Sequence, residues 1–219
     1  MIITIDGPAG SGKSTVAKLL AKQLEFLHFN SGSLFRAITA YLYEQKFDIN
    51  SIKVNSILPK FELNVELVNQ NQHTFVNGKD YTPVLRDNLI STLVPIVSIN
   101  ENVQNIAQSC IRKFCATHNV VIEGRGVGSS TLPNAEIKIY LDCSIKERAK
   151  RRFEEEKSKN NQITLQEIEK QIEERDNLDK NRKIAPLVVP NNAIVVDSSN
   201  LGIQETVDVI VNSISKKLI

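Results

Sequence analysis

Tryptophan is absent from this 219-residue chain, and aromatic residues make up only 5% of it. Too few flat rings are present for a surface that stacks the bases of a single-stranded nucleic acid. Cysteine is scarce as well. Cys110, Cys115 and Cys143 are odd in number and show no Cys-x-x-Cys spacing. That argues against a disulfide framework or a zinc site, and for small core residues in a reducing compartment. His28, His73 and His118 are scattered without ligand spacing and read as structural. No charge excess exists: 27 Lys and Arg against 25 Asp and Glu leave +2, so no strong field draws nucleic acid or membrane. No apolar run is long enough to span a bilayer, and no basic and apolar leader opens the chain. A cytoplasmic monomer, without nucleic-acid or membrane partners, is the expectation. The Asn-Lys-x-Asp base-reading motif of a switch GTPase is missing, and so are the further motifs of a helicase or motor.

What is present begins at once. Gly7-Pro8-Ala9-Gly10-Ser11-Gly12-Lys13-Ser14 is a G-x-x-x-x-G-K-S phosphate loop. It follows the apolar run Ile2-Ile3-Thr4-Ile5 and precedes Thr15-Val16-Ala17-Lys18-Leu19-Leu20, the strand and helix flanks that the motif requires. Glycines let backbone N–H groups turn inward onto phosphate oxygens, and the helix N-terminus adds partial positive charge. Lys13 can reach the β- and γ-phosphates of ATP, and the Ser14 hydroxyl can ligate Mg²⁺.

Strand and helix patterns alternate along most of the chain. Apolar runs at 2–6, 26–29, 120–123, 137–142 and 193–197 read as parallel strands covered on both faces. Helical patterns cover about 13–24, 34–45 and 203–217. The fold class is therefore α/β, a parallel sheet with helices on both faces. One stretch breaks the rhythm. Phe61, Leu63, Val65 and Leu67 alternate with polar residues over 60–68, and His73–Val76 is joined to 79–82 by Asn77-Gly78. This predicts a small antiparallel sheet inserted over about 50–82. The charge-dense segment 146–183 reads either as solvated helices with pairs such as Glu147 and Arg151, or as a mobile lid. The chain divides into a core (1–30, 83–145 and 184–219), an acceptor-binding part (about 31–82) and a lid (about 146–183).

A phosphate loop names the donor and leaves the acceptor open. Arg36, Arg125, Arg152, Arg175 and Arg182 stand in turn or lid contexts. Transfer between two phosphates needs such forks, because negative charge accumulates between donor and acceptor. Glu123 ends the strand Val120-Val121-Ile122, where its carboxylate either caps a turn or holds Mg²⁺ or its waters. Arg125 follows at the carboxyl edge of the sheet, where ligands of open α/β sheets sit.

Together these residues resemble the bacterial cytidylate kinase family, P-loop nucleoside monophosphate kinases that phosphorylate CMP and dCMP with ATP. The resemblance runs end to end. It includes Ile5 to Thr15, Asn30-Ser31-Gly32-Ser33-Leu34-Phe35-Arg36, Glu123-Gly124-Arg125 and Lys138 to Asp142. It also includes Glu147-Arg148-Ala149-Lys150-Arg151-Arg152 and the cluster from Arg175 to Arg182 with Ala185-Pro186-Leu187. It implies that Gly7, Pro8, Ala9, Gly10, Ser11, Gly12, Lys13, Ser14 and Thr15 cradle ATP, with Ser14 and Glu123 at the metal. It implies that Ser31, Arg36, Arg125 and Arg175 grip CMP, that Asp179 accepts from the ribose and that Arg182 closes on phosphate. Lys13, Arg125, Arg152, Arg175 and Arg182 would be the catalytic cations. The family's usual Ser, Arg and Asp for reading cytosine fall here on Pro95, Gln104 and Gly126, and Asn30 and Phe35 replace its Asp and Tyr. Two alternatives follow: the same reaction on UMP or another monophosphate, and an ATP-binding regulator associated with RNA or ribosomes.

Overall fold

A computed structural model describes residues 1–47, 61–158 and 163–218. Five parallel strands form the central sheet: β1 (Ile2–Asp6), β2 (Leu27–Asn30), β6 (Val120–Gly124), β7 (Ile137–Asp142) and β8 (Ile194–Asp197). Their order is β2-β6-β1-β7-β8. The strand that carries the phosphate loop is thus central. The strands leading to Glu123 and to Asp142 flank it, in register with Asp6 beside Gly124 and Tyr140.

Side chains alternate across β6. Val121 packs with Ile3, Ile5, Ile139 and Leu141 beneath α1 (Lys13–Gln23) and α7 (Ile203–Leu218). Val120 and Ile122 point into the opposite layer, with Phe29 and with α2 (Ser31–Glu44), α3 (Asn88–Val97) and α4 (Glu101–Cys115). This period of two is why continuous apolar runs mark strands buried on both faces. The three cysteines are buried. Burial pushes Cys110 up to about 11 and Cys115 to about 12, so both are inert thiols at neutral pH. Among the described residues no helix is long and apolar enough to cross a membrane.

The inserted sheet forms as β3 (Leu63–Val68), β4 (Asn71–Val76) and β5 (Lys79–Asp80), all antiparallel. Asn77 and Gly78 take φ of 49° and 78°, the left-handed pair that a tight hairpin requires. The β3–β4 turn uses Asn69 and Gln70 at φ 51° and 63° with no glycine, so its position was not marked in the sequence. The expected start of the insert near 50, and the strand position at 60, lie outside the described residues. The charged segment folds as α5 (Ile145–Ser158) and α6 (Leu165–Asn181) around a small core of Ala149, Ile168 and Ile172. Thr164 and Glu167 form a capping box that opens α6.

Candidate active site

The phosphate loop joins β1 to α1. Gly12 holds φ 87°, a left-handed cap that turns the loop into the helix. Lys13 folds back over the loop: Nζ donates to Pro8 O at 2.6 Å and lies 3.4 Å from Ser11 Oγ. Burial, then the charge of Arg125, lowers Lys13 to about 7. A phosphate would be bound by the ammonium form, so ATP binding at this loop would raise the value. At pH 8 binding should therefore draw in close to one proton. Calorimetry in buffers of different ionisation enthalpy reads that uptake directly, and a buffer-independent heat would contradict it.

Ser14 Oγ donates to Glu123 Oε2 at 2.7 Å. Glu123 Oε1 is buried without a hydrogen-bond donor, and His28 Nε2 stands 3.4 Å away. Burial acts to raise the Glu123 carboxyl, but His28, Ser14 and Lys13 outweigh it and hold the group ionised. A hydroxyl beside an ionised carboxylate with an unsatisfied oxygen suits Mg²⁺, which keeps most of its water and takes phosphate oxygens as ligands. Among the described residues no group of three or more His, Cys, Asp or Glu gathers as an all-protein metal cage.

Across the cleft, Asp179 carries three arginines. Arg125 Nε lies 2.8 Å and Arg175 Nε 3.0 Å from Oδ2, and Arg182 Nη1 lies 3.7 Å from Oδ1. Burial would raise Asp179, but Arg125, Arg175 and Arg182 overcome it and keep the carboxyl below its usual range. Burial, and then the other arginines, bring Arg182 down to about 10. Arg36 is lowered by burial and by Arg125, Arg175 and Arg86 in turn, which places all four guanidinium groups in one field. Arg36, Arg125, Arg175 and Arg182 thus act on one another across one site, and Asp179, Glu123, Asp176 and Asp6 are the carboxylates whose charge reaches them. An anionic phosphate entering there would meet several guanidinium forks at once.

Several supports were not evident from sequence. Asp6 is fully buried, and its carboxylate accepts from Val127 N at 2.8 Å and Gly128 N at 2.7 Å. Burial raises its pKa against those hydrogen bonds. It thereby ties the end of β1 to the π-turn Val127–Thr131 that follows Arg125. Arg86 is a second such residue. A third is Arg148, buried at the start of α5, which donates to Cys143 O, Ala9 O and Asp176 Oδ2 at 2.9, 3.0 and 2.7 Å. Arg151 bonds Glu147 and Ser198 O, and its guanidinium lies over Gly12. Arg152, expected on the ATP side, is exposed instead. Arg148 and Arg151 are the α5 arginines that reach the phosphate loop in this structure. Ser31 Oγ sits against Gly124, where a Cβ would collide with it.

Residues 3–216 match the family model described as cytidylate kinase. The chain belongs to that family. It is 36% identical over 217 residues to the cytidylate kinase of Geobacillus sp. (strain WCH70), covering 99% of this chain and 97% of that one. It is 38% identical over 220 residues to the cytidylate kinase of Carboxydothermus hydrogenoformans, covering 99% and 98%. Among solved structures, shikimate kinase from Bacteroides thetaiotaomicron aligns over 98% of both chains with a TM-score of 0.51 at 11% identity. TT1252 from Thermus thermophilus aligns over 100% of this chain and 98% of that one, with a TM-score of 0.50 at 16% identity. These two show the shared P-loop kinase fold and nothing finer.

Of the three positions where this cytidylate kinase family member departs from the usual base readers, Gln104 and Gly126 have a local explanation. Pro95 lies inside α3, near its end. Gln104 is buried, and its Nε2 donates to Ser98 O at 2.7 Å, so the amide is spent within the α3–α4 turn. Gly126 holds φ 75°, and a Cβ there would stand 2.5 Å from Ala185 O.

Proposed function

We propose that this chain transfers the γ-phosphoryl group of ATP to CMP or dCMP, giving ADP and CDP or dCDP. The observation that carries this reading is the placement of Arg125, whose charge acts on Lys13 of the phosphate loop and on the Asp179 cluster alike. Donor and acceptor halves therefore share one cationic centre. Gly7 to Thr15 hold the ATP phosphates, with Lys13 at the group transferred. Arg36, Arg125 and Arg175, joined by Arg86, hold the acceptor phosphate, and Ser31 lies beside it. An oxygen of that phosphate attacks the γ-phosphorus, the bond to the β–γ bridging oxygen breaks, and ADP leaves with the electron pair. No general base is required, because the attacking oxygen is already ionised and in-line placement dominates. Ser14 and Glu123 would hold Mg²⁺, directly or through its waters. The ion, when bound, neutralises charge on the phosphate oxygens.

The lid brings Arg175 and Arg182 to the transferred group. Asp179 keeps these arginines together before substrate arrives, so a ribose hydroxyl would share an oxygen already committed to them. A second reading, the same reaction with a relaxed choice of base, is favoured by the engaged amide of Gln104 and the bare Gly126. Restoring an acid at 126 does not rescue selectivity on this geometry. Gly126→Asp needs a left-handed backbone and displaces the Ala185 carbonyl, at a cost of roughly 1–3 kcal/mol or more. We expect it to lower turnover with CMP and UMP together and to loosen the 183–187 loop, measured by steady-state rates and hydrogen exchange. A gain in CMP selectivity at unchanged turnover would contradict that.

ADP release across CMP, dCMP, UMP, AMP and GMP tests the function itself. Transfer to CMP and dCMP supports it, and comparable UMP rates would establish the relaxed reading. Absence of transfer to any acceptor, with ATP hydrolysis raised by RNA, would replace both with the RNA-associated regulator.

A further inference from the structure

β2 is an edge strand of the parallel sheet. The outward backbone groups of its last residue, Asn30, therefore have no strand beside them. A side chain from the inserted sheet takes that place. Gln72 Oε1 accepts from Asn30 N at 2.7 Å, and Gln72 Nε2 donates to Asn30 O at 3.3 Å. One primary amide thus pairs with both backbone groups of one residue, as a neighbouring strand would. The same Nε2 donates to Ser33 Oγ at 2.6 Å, and Ser33 Oγ donates to Asn30 O at 2.7 Å. Thr74, one pleat further along β4, reaches Ser33 Oγ at 3.3 Å from the buried side.

Asn30 is the N-cap of α2 and makes no side-chain cap bond, so its backbone sets where α2 begins. The groups that follow it face the acceptor. Ser31 Oγ rests against Gly124. Asn30 Oδ1 and Arg36 Nη1 both crowd Gly32, at 3.0 and 2.8 Å from where a Cβ would stand. A small shift of Asn30 is therefore carried to Ser31 and Arg36 at once. The phosphate loop, by contrast, leaves β1, which β6 separates from β2.

We propose that Gln72 is a positioning residue for the acceptor half of the site: its amide clamps Asn30 and thereby aims Ser31 and Arg36. This gives the inserted sheet a role in catalysis, and it rests on the kinase reading above. In the full-length chain, Gln72→Ala should raise the KM for CMP about tenfold, the effect of one or two positioning hydrogen bonds. The KM for ATP should stay within about twofold. Gln72→Glu keeps the length and one acceptor oxygen but sets a carboxylate oxygen against Asn30 O, so it should not restore the CMP value. Ser33→Ala removes part of the same network and should shift the CMP KM in the same direction. Amide exchange should quicken over 30–33 in Gln72→Ala and stay unchanged over 7–15. An unchanged CMP KM, a parallel rise in both KM values, or full recovery in Gln72→Glu would overturn the proposal. A parent chain inactive on CMP would sink the kinase reading instead, and the exchange comparison would still decide whether Gln72 holds Asn30.

Discussion

Lys13→Ala should lower turnover by about two orders of magnitude or more while leaving the chain folded, because charge builds at the transferred group in the transition state. The expectation of an intact fold has its own physical basis. Burial drives Lys13 down to about 7, so the native state resists the charge that this side chain carries. Removing it costs the hydrogen bond to Pro8 O and relieves that resistance. The thermal midpoint should therefore hold or rise. Steady-state rates and a melting curve on the same preparation test both halves. Near-parental turnover would remove the loop from catalysis, and a collapsed melting curve would make Lys13 structural.

Arg125→Ala should be as damaging and should leave a second trace. Arginine placed on a transferring phosphoryl group is worth roughly three to five orders of magnitude where it acts alone; with other arginines beside it, a loss of about two to three orders is expected. Arg125 also acts on its neighbours' protons: its charge lowers Lys13, Arg36, Arg175 and Arg182 and helps hold Asp179 ionised. Deleting it should let the Lys13 pKa climb. The pH at which ATP affinity begins to weaken, near 7 in the parent, should then move upward in the variant. Titration of ATP binding from pH 6 to 10 reads this shift. If affinity falls over the same pH range in both proteins, Arg125 does not act on the donor side.

Much of the fold was legible because its signals are local. Ile137–Asp142 is bounded in the structure as its apolar run predicts, and the hairpin at Asn77-Gly78 forms where that dipeptide stands. The phosphate loop carries its own flanks. What escaped the sequence depends on contacts distant along the chain. Asp6 reads as the last residue of a strand, and only the folded sheet brings Val127 and Gly128 to its carboxylate. Gln72 falls just before the strand expected from His73, and only the fold extends that strand and lays Gln72 beside β2. The choice among the α5 arginines shows the limit most clearly. At about 100° per residue, Arg151 and Arg152 fall on either side of Arg148 around the helix. Periodicity cannot choose between them. The helix's docking does: the bonds of Arg148 to Ala9 O and Asp176 turn Arg151 toward Gly12 and leave Arg152 exposed.

The inserted sheet and the lid differ in how they meet the core. Gln72 joins the former to β2 by hydrogen bonds between neutral groups. The latter meets it through arginines: Arg125 pairs with Asp179, Arg182 donates to Arg125 O at 2.5 Å, and Arg148 and Arg151 donate to Ala9 O and Ser198 O. The Arg125–Asp179 pair can be exchanged for a phosphate, whereas the amide clamp has no competitor among the substrates.

The most direct test is to follow the phosphoryl group itself. ATP labelled at the γ-position is mixed with the chain, Mg²⁺ and CMP, and the products are separated over a single turnover. The label should appear in the β-phosphate of CDP, in step with ADP and without free phosphate. Label released only as inorganic phosphate, at a rate indifferent to CMP, would contradict the assignment of Arg36, Arg125 and Arg175 to an acceptor and leave the chain an ATPase.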